Sequence, residues 1–70
     1  MEEKICDRMG RPIGMLRHLP NGDIEAVEFL SRKIIGFYRA ASNTTTDFLG
    51  RFIAKGDVTA ALIFNAEQYL

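Results

Sequence analysis

The chain has 70 residues, of which 47% are apolar; nine basic and nine acidic side chains cancel, and there is one cysteine and one histidine. Such a length gives one domain, residues 1–70, that leaves roughly 40% of its unfolded surface exposed after folding, so stability depends on dense packing or on a partner. The composition excludes an internal disulfide and a Cys/His metal cluster, and the balanced charge supplies no field to draw in a polyanion.

The longest unbroken apolar run, Ala60 to Phe64, is too short to cross a bilayer, and the N-terminus lacks the apolar core of a signal peptide. A soluble, cytoplasmic protein with no membrane association is expected. The surplus of apolar side chains over what one small layer can hide makes self-association the default expectation.

In chain order, Lys4 to Asp7 offers a short first strand. Asp7-Arg8-Met9-Gly10 then suits a tight turn, since Asp accepts a backbone hydrogen bond at the first position and Gly tolerates positive φ at the fourth. A three-residue loop over 8–10 would set Asp7 and Arg11 opposite each other as a cross-strand pair. Arg11 to Arg17 alternates, with Ile13 and Met15 on one face and Gly14 and Leu16 on the other. Pro20-Asn21-Gly22-Asp23 is an explicit turn, and Asn21-Gly22 fits a type I′ hairpin. Asp23 to Phe29 and Lys33 to Ala41 carry apolar residues on both faces, which predicts strands covered on both sides, the second being central.

Ala41-Ser42-Asn43 reads as a reversal, and Thr44-Thr45-Thr46 favours an extended chain. Leu49-Gly50 is a turn and Arg51 to Ala54 a short strand. Beyond Gly56-Asp57, the residues Val58, Ala60, Leu62 and Phe64 continue one face of a further strand. Asn65 to Leu70 is a tail, expected to form at most one helical turn.

The opening turn recurs in edited form. Asp7-Arg8-Met9-Gly10-Arg11-Pro12-Ile13-Gly14 is echoed by Glu28-Phe29-Leu30-Ser31-Arg32-Lys33-Ile34 and by Asp47-Phe48-Leu49-Gly50-Arg51-Phe52-Ile53-Ala54. Each copy has an acid, then Met or Leu two places on, Gly or Ser third, Arg fourth and Ile sixth. The structural turn and pair residues are therefore Asp7, Gly10 and Arg11, Asn21 and Gly22, Glu28 and Arg32, and Asp47, Gly50 and Arg51. The predicted fold is all-β: an antiparallel meander of about six short strands forming a small barrel, roll or sandwich, with strand exchange between chains as a variant. A three-helix bundle competes, because Ile24, Val27, Leu30, Ile34 and Tyr38 also follow helical spacing. Gly36, Gly50, the Thr run and the Asn-Gly turn argue against it.

The acid-x-x-Gly-Arg-x-Ile-Gly pattern, followed by a Gly-Asp-Ile/Val segment, resembles small uncharacterised bacterial domains built from repeated strand–turn–strand units. The resemblance covers Asp7 to about Phe64 and implies an all-β module without an assigned activity. The middle copy departs from it, with Ser31 in place of Gly and an inserted residue between Ile34 and Gly36.

No residue pattern here specifies catalytic, cofactor or metal chemistry. Cys6 reads as a small buried apolar residue, since a nucleophilic thiolate needs a partner that nothing in the sequence supplies. His18, beside a Pro-Asn-Gly turn, reads as a solvent-exposed loop side chain. Arg11, Arg32 and Arg51 each follow an acid by four residues, which favours ion pairing over an anion-binding ring. Phe37, Tyr38 and Phe52, with Arg39 and Arg51, are the only pieces of a stacking platform for single-stranded nucleic acid, and core aromatics are the plainer reading. The leading expectation is a non-enzymatic structural or protein-interaction module, a homodimer with room for a further protein partner. A nucleic-acid-binding small barrel is the alternative.

Overall fold

A computed structural model describes the backbone of residues 1–68 and the side chains as far as Asn65. Six strands, β1 (Glu2–Cys6), β2 (Pro12–His18), β3 (Ile24–Glu28), β4 (Ile34–Arg39), β5 (Thr44–Asp47) and β6 (Phe52–Lys55), are followed by one helix, α1 (Thr59–Gln68). The strands form one antiparallel sheet in the order of the sequence, a meander with β1 and β6 at its edges. The sheet is open and does not close into a barrel. The helical spacing of Ile24 to Tyr38 gives no helix: those residues lie in β3, β4 and the loop between them.

Cross-strand pairing sorts the side chains into rows. Leu16, Ala26 and Gly36 form one row, and Ile24, Tyr38, Thr45 and Ala54 another on the same face. This face carries the helix, which packs across β2, β3 and β4. Leu16, Ile24, Ala26 and Ile63 are its buried core, with Ile5, Ile13, Ile35 and Tyr38 packed around them. The opposite face holds the row Glu25, Phe37, Thr46, Phe52 and, beside it, the buried pair Met15 and Val27. The second cover expected for β3 and β4 is missing among the described residues: Val27 is buried, but Ile34 is 40% exposed and Phe37 half-buried, and Arg32, which reaches the Met15 sulfur at 3.3 Å and lies over the Phe29 ring, makes these contacts outside both strands.

The segment read as a last strand is helical. Val58, Ala60, Leu62 and Phe64 satisfy a period of two, but a short apolar run fits helix equally well, and what lies under it decides. Asp57 accepts a hydrogen bond from the backbone N–H of Thr59 at 3.0 Å, satisfying one open donor of the first turn. Thr59 and Ile63, four residues apart, then share the buried helix face. The helix extends through part of the expected tail; Tyr69 and Leu70 lie outside the described residues.

Candidate interaction surface

The loops joining β1–β2, β3–β4 and β5–β6 emerge at one end of the meander. In the first, the Gly10 N–H donates to the Asp7 carbonyl at 2.9 Å, the Asp7 N–H donates to the Arg11 carbonyl at 2.9 Å, and the Asp7 carboxylate accepts from the N–H groups of Met9 and Arg11. The Arg11 Nε closes the pair at 3.2 Å. The third loop matches it bond for bond: Gly50 N–H to the Asp47 carbonyl, Asp47 N–H to the Arg51 carbonyl, Leu49 and Arg51 N–H to the Asp47 carboxylate, and Arg51 Nε at 2.7 Å. Both need a left-handed residue at the end of the loop, and Gly10 and Gly50 supply it at φ 84° and 87°.

The middle loop differs. Its left-handed residue is Arg32, at φ 62°, and the ladder bond runs from the Glu28 N–H to the Lys33 carbonyl. Lys33, not Arg32, therefore occupies the place of Arg11 and Arg51: the extra residue lies in the loop and not after Ile34. The expected Glu28–Arg32 pair is absent among the described residues, because an Arg committed to the left-handed position points to Met15 and Phe29 instead.

Shifting the middle copy by one residue also aligns the bulges. Ile13, Ile35 and Ile53 are each the unpaired residue where the register slips, and each is followed by a small residue, Gly14, Gly36 or Ala54. Ile13 and Ile35 pack against the helix-side core. Ile53 stays 45% exposed.

Asn21 and Gly22 form a turn of another type than expected. The Leu19 N–H donates to the Asp23 carbonyl and the Gly22 N–H to the Leu19 carbonyl, which makes Pro20-Asn21-Gly22 a three-residue loop with only Gly22 at positive φ. Asp23, the last residue of the expected turn, has a further role: its carboxylate takes the Ala40 N–H at 2.9 Å and lies 3.5 Å from Arg39, joining the two loops at this end.

The five residues of the stacking platform are not brought together. Phe37 and Phe52 flank Thr46 on one face, with the Arg39 guanidinium 4.5 Å above the Phe37 ring. Tyr38 is on the helix face, its hydroxyl donating to the Asn43 side chain at 2.8 Å. Arg51 is held at the loop by Asp47. Phe52 is 64% exposed and is no core aromatic.

Cys6 is exposed and not buried, because it ends the outer strand β1 opposite Pro12. His18 is the last residue of β2 and not a loop residue, with Nε2 3.1 Å from Glu3. The two lie at opposite ends of the β1–β2 hairpin. No group of three His, Cys, Asp or Glu side chains gathers among the described residues, and no helix is long and apolar enough to cross a membrane.

What does gather is apolar surface around the third hairpin. Phe48, Leu49 and Phe52 are more than 60% exposed. Beside them an open groove of about 700 Å³ is lined by Arg32, Lys33, Ile34, Phe37 and Phe48. The sequence signal for it is Phe48-Leu49, two large apolar residues in a loop that otherwise favours polar ones. No family model, no curated protein and no solved structure matches the chain.

Proposed function

We propose that this chain is a non-enzymatic structural or protein-interaction module that works as a homodimer. The observation behind the reading is the unequal covering of the three hairpins: the helix packs over β2 to β4, while Phe48, Leu49, Phe52 and Ile53 of the third hairpin stay in contact with water. Large apolar side chains left exposed together on one hairpin of a small domain point to an interface, and burying them removes the cost of hydrating them. The charge is balanced, so no net charge repulsion opposes the meeting of two copies.

Nucleic-acid binding has less in its favour, since Arg39 is shared between Phe37 and Asp23, and Tyr38 lies on the opposite face of the sheet from Phe37 and Phe52. Sedimentation equilibrium over the low micromolar range tests the dimer. The expected mass is twice 7.9 kDa; a species of 7.9 kDa at every concentration up to submillimolar would remove the reading.

A further inference from the structure

The geometry points to the outer edge of β6 as the dimer interface, paired antiparallel with β6 of a second copy so that two sheets become one across a two-fold axis near Ile53 and Ala54. This rests on the homodimer reading and names its surface.

An open sheet has two edges, and the edges of this one are unlike. β1 carries Glu2, Glu3 and Lys4, with Glu2 3.5 Å from Arg17 and Glu3 3.1 Å from His18. Charged side chains on an edge strand are a recurrent device against further pairing. β6 reads Phe-Ile-Ala-Lys, with Phe52 64% and Ile53 45% exposed. Its bulge at Ile53 shortens this edge without closing it: β2 and β4 have the same bulge at Ile13 and Ile35 and still pair with the next strand, from Gly14 and Gly36 onward, so the corresponding pairing stretch of β6 begins at Ala54.

Charge chooses the occupant and its direction. Arg51 precedes β6, Lys55 ends it and Asp57 follows. A parallel neighbour would set Arg51 against Arg51 and Lys55 against Lys55. An antiparallel copy sets the Arg51 end of one strand beside the Asp57 end of the other, twice, and the isologous contact closes on itself. Arg51 is able to take a second acid: its Nε is on Asp47, its side chain is 73% exposed, and the two terminal nitrogens extend beyond the pair. The same operation keeps the two Phe52 side chains on one face, each Phe37–Thr46–Phe52 row ending against the Lys55–Gly56 end of the copy with the two Phe52 positions diagonal to each other. Main-chain bonds would give the affinity and this row the specificity.

Two measurements on the full chain test this. Amide hydrogen exchange, recorded from low micromolar to submillimolar concentration, should show protection growing with concentration at Phe52 to Lys55 and not at Glu2 to Cys6. Sedimentation of Phe52→Lys should show dissociation at least tenfold easier than for the unmodified chain, with an unchanged far-ultraviolet spectrum. A dimer whose protection grows elsewhere, or a folded Phe52→Lys dimer of undiminished affinity, overturns the β6 interface and leaves the homodimer standing. Polymers with protection at both β1 and β6 overturn it in favour of head-to-tail pairing or strand exchange. A monomer throughout removes both proposals. Should Phe52→Lys not fold, the exchange pattern of the unmodified chain decides alone.

Discussion

Thr45 and Val58 are joined through a hydroxyl that works in both directions: Thr45 Oγ1 accepts the Val58 N–H at 3.0 Å and donates to the Gly56 carbonyl at 2.6 Å. Thr45 is fully buried. One side chain of β5 thus fixes the connection from β6 to α1, and with it the angle at which the helix comes down on the sheet.

Replacing Thr45 by Val keeps the shape and removes both bonds, leaving a part-buried N–H and a part-buried carbonyl without the partner each now has. The expected loss is about 1–3 kcal/mol, and each 1 kcal/mol lowers the melting temperature of a domain this small by roughly 4–8 °C. Thr45→Ser should recover most of it. The neighbouring Thr46 hydroxyl is buried with no hydrogen-bond partner among the described residues, so Thr46→Val should be neutral or stabilising. Thermal melting followed by circular dichroism checks all three, and equal melting points for Thr45→Val and the unmodified chain would refute the strap.

Gly36 carries a second expectation. A methyl group there would meet the Thr46 carbonyl oxygen and the Leu62 side chain, and one at Gly14 would meet Ile63. The helix lies close because β2 and β4 are bare at these points. The matching residue of the third hairpin, outside the helix-side core cluster, is Ala54. Gly36→Ala should cost about 1–3 kcal/mol, the usual range for overpacking. A chemical denaturation midpoint unchanged by the substitution would mean that the helix can ride outward without loss.

These contacts explain what the sequence let one read. Asp7 to Arg11 and Asp47 to Arg51 are legible because every bond that shapes them lies within five residues. The Asn21-Gly22 reversal is legible as a turn but not in its type, since the closing bond between Leu19 and Asp23 is not encoded in the Asn-Gly pair. The meander follows from short loops between apolar strands. The helix was hidden because Val58 to Phe64 satisfies both periods, and the deciding features, the strap at Thr45 and the bare backbone at Gly14 and Gly36, are far away in the chain. The place of the insertion in the middle copy was hidden too: only the ladder bond from Glu28 to Lys33 shows that Arg32 took the glycine's role. Tyr38 was separable from Phe37 by parity alone, so that part of the stacking platform was readable as divided.

Acid should act through the loops. The carboxyls of Asp7 and Asp47 lie below the usual 3.8, chiefly because each accepts the backbone N–H of the Arg four residues on, with further help from the Arg side chain and from Met9 or Leu49. Asp23 is lowered as well, first by the Ala40 N–H. A carboxyl that ionises more easily in the folded chain than in the unfolded one adds stability that is fully present above the unfolded value and lost as pH falls through the folded one. Stability should therefore be flat around neutrality and decline below about pH 3.8. Asp7→Asn with Asp47→Asn keeps a side-chain oxygen for the N–H groups but loses the charge that holds Arg11 and Arg51. The double variant should melt below the unmodified chain at pH 7, and the gap should narrow steadily as pH falls below 3.8. The remaining acid dependence should come from Asp23, whose partners are untouched. A gap that stays constant down to the acid transition would mean that these carboxylates stabilise the loops through shape and not through charge.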